Sequence, residues 1–299
     1  MGGEALPISG FLNVLKPPGM SSARVVAFVR KCLGGAKVGH AGTLDPEAAG
    51  VLPIMIGKAA RLFDELQDDT KTYIAEIAFG AATDTQDAQG AVVETGETIP
   101  SERQLRDLFP ALTGEMLQTP PMYSALKRDG KRLYALAREG KTVERKPRRM
   151  TLYSLELLRM TPRNGALISL PCSRGFYVRT LCHDIGGKLG CPAHMRFLER
   201  TASGMFTIET AKTLDEISGA ANLQTLLVPV EDVLSHLPFA DVPQALMKQF
   251  LNGVPLPVSA FPAFHDLEQG ARAQLRIGGK TAAVAKLDGG VLKQAVWLK

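Results

Sequence analysis

One carboxylate stands out chemically. Asp45 lies in the run Gly39-His40-Ala41-Gly42-Thr43-Leu44-Asp45-Pro46. Glycine permits positive φ and the close approach of another chain. Pro46 restricts Asp45 to extended geometry. A carboxylate fixed in a rigid loop beside a histidine can act as a nucleophile or as a general base. The same residues also read as a plain turn, because Asp, Pro and Gly are turn formers.

Other routes to chemistry are closed at the level of motif. Gly140-Lys141-Thr142 and Gly279-Lys280-Thr281 lack the upstream glycine of a phosphate-binding loop. There is no GxGxxG and no HExxH, and the five histidines form no metal spacing. Cys32, Cys172, Cys182 and Cys191 are far apart with no CxxC. They are expected to be buried thiols rather than a zinc site or a disulfide framework. No cofactor and no metal are expected.

The second chemical signal is charge. The formal net charge is only +5, but residues 118–149 hold ten Lys/Arg against three acidic residues. Lys127, Arg128, Lys131 and Arg132 form its centre, with Tyr123 and Tyr134 interleaved. A local basic block on a near-neutral body is the footprint of a polyanion binder, and aromatics beside cations can stack bases. A solvated charged face is the alternative.

These residues need elements to hold them. Phe11–Leu15 reads as a strand stopped by Lys16-Pro17-Pro18-Gly19. Ser21 or Ser22 caps a helix that ends at Gly34-Gly35. Residues 39–50 read as a loop and Val51–Ile56 as a buried strand. Lys58–Gln67 has helical periodicity, and Thr72–Phe79 alternates as a strand with Tyr73 on one face. Ser101 with Gln104 predicts a capping box. Residues 118–149 look like an insertion with one short helix. Leu152–Met160 and Ala166–Cys172 look like paired strands around Arg163-Asn164-Gly165, and Tyr177–Leu189 reads as a helix. After Leu237 the texture becomes proline-rich, with short strands at Ala271–Ile277, Ala282–Leu287 and Val291–Leu298.

With 299 residues and 45% hydrophobic content, the chain can bury a full core without staples. No apolar run is long enough to span a bilayer. No secretory pattern opens the sequence, and Leu6 spoils a myristoylation start. A cytoplasmic location is expected.

Several stretches together resemble the TruB-type tRNA pseudouridine synthases. They are Lys16 to Ser22, Gly39 to Leu52, Lys71-Thr72-Tyr73, Thr83 to Asp87, Pro120 to Lys127, Cys172 to Thr180 and Gly190 to His194. The resemblance covers roughly residues 11–210. It implies a mixed α/β catalytic domain on a largely antiparallel sheet over residues 1–236. A thumb would be inserted at about 118–149, and a small β-rich, PUA-like RNA-binding domain would occupy 237–299. It implies isomerisation of uridine 55 in the tRNA T-loop, with the base flipped out, by a monomer that needs no cofactor. The partner is then the T-arm of tRNA, gripped by the thumb, and tRNA folding is assisted as well.

The resemblance also assigns roles. Asp45 is the catalytic aspartate, Arg179 its ion-pair partner and Tyr73 the stacking platform under the target base. A core aromatic is the alternative for Tyr73. His40 and Tyr177 fall on RNA-contacting stretches, although His40 also suits a residue that orders Asp45. Lys16 meets a phosphate or merely braces a turn, and Leu198 lines the uracil pocket or the core. Asp87 matches a family position, with turn formation as its other reading. Lys127, Arg128, Lys131 and Arg132 supply thumb contacts. Two positions depart from the family pattern: Phe176 replaces a usual threonine and Glu199 a common basic residue. Two other readings stay open: an RNA binder without chemistry, and the catalytic subunit of a guide-RNA particle.

Overall fold

The computed structural model describes residues 9–66, 70–124, 126–128, 130–141 and 143–299, with backbone only at 127, 128, 131, 132, 134, 135 and 138. Strand β1 (Gly10–Lys16) runs into the Pro-Pro-Gly turn. Helix α1 (Ser22–Cys32) starts where its cap predicts, with the Ser21 hydroxyl accepting from the Arg24 amide. Gly34 and Gly35 end it in the left-handed region. Strands β2 (Val38–His40) and β3 (Ala49–Ile56) take both ends of the expected 39–50 loop. The reason is tertiary: β2 finds a partner in β3, with His40 opposite Ile54.

A 3-10 helix (Gly57–Glu65) replaces the predicted α-helical turns after β3. Strand β4 (Lys71–Phe79) buries Tyr73, Ala75, Ile77 and Phe79, as the alternation requires. A ribbon of β5 (Ala81–Thr83) and β6 (Val92–Thr95) leads to α2 (Glu102–Leu108), whose capping box is formed by Ser101 and Gln104. After β7 (Gly114–Gln118), residues 118–149 hold the ribbon β8 (Lys127–Arg128) and β9 (Lys131–Arg132) and helix α3 (Leu133–Arg138).

The strand expected over Leu152–Met160 is two strands. They are β10 (Arg148–Leu152) and β11 (Glu156–Thr161). Both use the same edge of β12 (Gly165–Cys172): β11 pairs along its first half and Leu152 of β10 meets Cys172. The chain must break between them because β10 turns away to pair with β7. Helix α4 (Val178–Lys188), β13 (Ala193–Ser203) and β14 (Phe206–Thr207) follow.

The ten-stranded sheet has the order β1-β3-β13-β4-β12-β10-β7, with β2, β11 and β14 attached. Within it, β13 and β3 pair in parallel and the other pairs are antiparallel. β13 therefore lies between the strand that follows the Asp45 loop and the strand that carries Tyr73. Arg200 of β13 pairs with Gly50 on one side and Tyr73 on the other. Gly50 has φ +109°, and a Cβ there would overlap the Arg200 carbonyl group. Only glycine lets the two strands approach this closely. Helix α4 shares a core cluster with β4 and β13 through Leu181, Ile185, Tyr73, Ile77 and Leu198.

A five-stranded sheet is built from β15 (Phe239–Asp241), β16 (Leu256–Pro257), β17 (Arg272–Ile277), β18 (Lys280–Asp288) and β19 (Val291–Trp297). It has its own core around Phe250, Phe261 and Phe264. It meets the large sheet through an apolar cluster that joins Phe11, Val51 and Leu62 to Val284. The protein is thus mixed α/β with a β-rich C-terminal part. No helix among the described residues is long and apolar enough to cross a membrane.

Candidate active site

The loop between β2 and β3 carries Asp45, and buried side chains hold its backbone at alternate residues. The Arg200 guanidinium donates to the Gly42 carbonyl at 3.2 Å and the Val51 carbonyl at 2.7 Å. The Ser22 hydroxyl donates to the Leu44 carbonyl and accepts from the Leu44 amide, both at 3.0 Å. Lys16 Nζ donates to the Pro46 and Pro17 carbonyls, both at 2.8 Å. Arg200, Ser22 and Lys16 are all buried. A loop whose carbonyls are satisfied by the core has little freedom left, so the Asp45 side chain has a defined place.

Arg179 holds that side chain. It projects from the first turn of α4, is almost wholly buried, and donates from Nη2 to Asp45 Oδ2. Its Nη1 donates to Asp87 Oδ2 at 3.2 Å. Asp87 is in turn fixed by Thr85 Oγ1 at 2.7 Å and the Gln89 amide at 3.0 Å, both on Oδ1. A second bond docks the same turn on α4, from Thr180 Oγ1 to Gln86 Oε1 at 2.9 Å. Gln118 braces the start of α4, accepting from the Tyr177 amide at 2.8 Å and donating to its carbonyl at 2.9 Å.

One arginine therefore lies between two carboxylates. The Asp45 side chain keeps 37% exposure while Arg179 keeps 7%. The acid faces the solvent and the base lies beneath it. Burial pushes the Asp45 carboxyl above the usual carboxylate range and the charge of Asp87 adds to this, against the pull of Arg179 and Lys16. Burial lowers the Lys16 amine to about 8, opposed by Glu47 and Asp45. Burial also raises the Tyr177 phenol, against the nearby Ser124 hydroxyl and the charge of Arg179.

The exposed edge of Asp45 opens on a cleft of about 320 Å³. Its walls include Tyr73, Phe176, Tyr177, Arg179 and Leu198. Five predicted residues thus come together: Asp45, Tyr73, Arg179, Tyr177 and Leu198. Tyr73 is 6% exposed in the core cluster and is also a wall of the cleft. Phe176 packs into that core as well as lining the cleft.

Other predicted residues lie elsewhere. Lys16 is fully buried and donates to two backbone carbonyls, which fits the bracing reading and leaves its amine away from the surface where a phosphate would sit. His40 ends β2, half-buried and outside the cleft lining. Lys127, Arg128, Lys131 and Arg132 form the β8–β9 ribbon, and their side chains lie outside the described residues. Glu199 sits half-buried on β13, away from the cleft. Among the described residues no group of His, Cys, Asp or Glu could hold a metal ion. Cys172, Cys182 and Cys191 are buried, and burial pushes the Cys172 thiol up to about 12.

The sequence did not reveal Asp87 as a ligand of Arg179, and it gave no hint of Ser22, Arg200 or Gln118 as supports of the site. Their signal was faint. Ser22 reads as a helix cap, and Arg200 lies in a stretch to which the sequence assigns no element; register sets both under the loop.

Residues 30–178 match the family model for the TruB family pseudouridylate synthase N-terminal domain, and residues 179–235 match that for the tRNA pseudouridylate synthase B C-terminal domain. The division falls at the start of α4, although β13 stands in the middle of the same sheet as β3 and β4. A tRNA pseudouridine synthase B of Alkaliphilus oremlandii is 46% identical over 246 residues, covering 82% of each chain. One of Moorella thermoacetica is 42% identical over 288 residues, covering 94% of each. A solved Cbf5-Nop10-Gar1 complex contains a chain with a TM-score of 0.70 and 27% identity, covering 97% of this chain and 84% of that one. With the family models spanning most of the sequence, and an aspartate–arginine pair at the head of a tyrosine-walled cleft, the chain belongs to the TruB family of pseudouridylate synthases, which are isomerases.

Proposed function

We propose that the protein converts uridine 55 in the T-loop of tRNA to pseudouridine, with Asp45 as the catalytic residue. The observation that carries this reading is the position of Asp45. Its Oδ2 is tied to a buried arginine while the side chain remains open to a cleft walled by Tyr73. The relatives named tRNA pseudouridine synthase B support tRNA as the RNA.

The reaction breaks the N1–C1′ bond of the uridine, turns the uracil and joins C5 to C1′, after which the C5 proton leaves and N1 takes up a proton, so that the sum is an isomerisation. A stacked nucleotide hides its glycosidic bond, so the base must leave the stack at a cost of a few kcal/mol. An RNA loop lowers that cost because its bases are already partly splayed. Tyr73 stacks on the extruded base and Leu198 fills the wall beside it. Asp45 then acts in its ionised form, on C1′ as a nucleophile or on a ribose proton as a base. Arg179 orients the carboxylate and Asp87 orients Arg179. The cations of residues 118–149 grip the T-arm phosphates, and the C-terminal sheet extends the RNA surface. Extruding the base disturbs tRNA tertiary contacts, so the same binding assists tRNA folding.

The test is pseudouridine mapping on an unmodified tRNA transcript, with no guide RNA, using wild type and Asp45→Ala in parallel. One new pseudouridine in the T-loop is expected with wild type and none with the variant, while tRNA binding stays within a few-fold. Binding lost as severely as turnover would make Asp45 structural. Tight binding by wild type without modification would instead favour an RNA binder without chemistry.

A further inference from the structure

The Asp45 cleft has a second flat surface besides Tyr73. Phe63 and Arg174 both line it, and the Arg174 guanidinium lies 4.4 Å from the centroid of the Phe63 ring. The two come from different elements. Phe63 belongs to the 3-10 helix after β3, and Arg174 to the turn that precedes α4. Arg174 is exposed and Phe63 half-buried, so the pair sits at the mouth of the cleft, not in its floor.

The element under the ring is firmly held. Ala59 and Leu62 are fully buried. The Arg61 guanidinium donates to the Trp297 carbonyl at 2.7 Å, and the buried Glu65 carboxylate is paired with Arg272 of β17. The C-terminal sheet thus fixes the helix that presents Phe63. Binding surfaces built on such fixed elements are better defined than those on free loops.

A phenyl ring and a guanidinium plane are two surfaces on which nucleobases stack without regard to sequence. Extruding one nucleotide also breaks the stacks it made with its neighbours. A base next to the extruded one is then left with an open face near the entrance. We propose that Phe63 and Arg174 form a second nucleobase-stacking subsite, which takes the base adjacent to the flipped uridine. This rests on the RNA substrate proposed above.

The test uses an RNA hairpin carrying the target uridine in its loop, and matched hairpins with an abasic nucleotide on the 5′ or the 3′ side of it. Wild type should bind the intact hairpin roughly tenfold more tightly than one of the two abasic hairpins. Phe63→Leu should abolish that preference and Phe63→Tyr should keep it. Arg174→Ala, at an exposed position that poses no risk to folding, should reduce it. This cycle isolates the contact between ring and base from general weakening. An abasic penalty that is the same in wild type, Phe63→Leu and Arg174→Ala would overturn the subsite, as would a wild type with no penalty on either side. Failure of the underlying reading looks different: wild type would then form no pseudouridine in the intact hairpin.

Discussion

Two opposing influences act on the Asp45 carboxyl, which the proposed reaction uses in its ionised form. Burial and the neighbouring Asp87 charge raise its pKa, while Arg179 and Lys16 hold the carboxylate form. A carboxyl with a raised pKa loses its charge earlier as pH falls. Single-turnover rates on saturating RNA should therefore drop on the acid side at a pH above the ordinary aspartate value of about 3.9. Asp87→Asn removes a like charge, so it should move that acid limb to lower pH while also slowing the reaction by loosening Arg179. A limb that does not move would mean that the two carboxylates are not coupled through Arg179.

At the scale of elements, the crossing of β3, β13 and β4 sets the distance between the Asp45 loop and Tyr73. Gly50 is the contact point, because the Arg200 backbone occupies the space its side chain would need. Gly50→Ala adds overpacking to a φ of +109° that L-residues avoid. It should cost about 3 kcal/mol of stability, read from the denaturant midpoint. The damage should also reach activity, since Arg200 holds Gly42 and so the Asp45 loop. A near-neutral Gly50→Ala would show that β3 can slide on β13 without strain.

The whole molecule divides its charge unevenly. Ten Lys/Arg fall in residues 118–149, so one segment carries most of the positive field while the rest is near neutral. Lys and Arg bound to phosphate release counterions, which makes affinity fall with salt. Replacing Lys127, Arg128, Lys131 and Arg132 together with glutamine should flatten the slope of log affinity against log salt. The expected change is about 0.7–0.9 for each phosphate that is no longer neutralised. An unchanged slope would move the phosphate-binding cations elsewhere. The apolar cluster around Leu62 and Val284 and the Glu65–Arg272 pair join the two sheets.

Features encoded in neighbouring residues were legible before any fold was known. Ser21 and Ser101 mark helix starts because a hydroxyl before a helix satisfies an orphan amide. The alternation of Thr72–Phe79 assigns Tyr73 to the buried face because successive strand residues point to opposite sides. The motif around Asp45 and that around Tyr177 and Arg179 named three residues that the structure brings together at one cleft, since each motif is contiguous in the chain. Tertiary structure decided everything that depends on two distant segments meeting. Asp87 reaches Arg179 across 92 positions. Lys16, which reads either as a phosphate ligand or as a turn brace, is buried because the Pro46 carbonyl accepts from its amine. The single strand expected over Leu152–Met160 divides because β7 and β12 compete for it. Phe63 and Arg174 come together only when the 3-10 helix docks beside the turn before α4. Caps and periodicity need only the residues next door. Register and docking are settled by the packing of the whole chain, and no local signal records them.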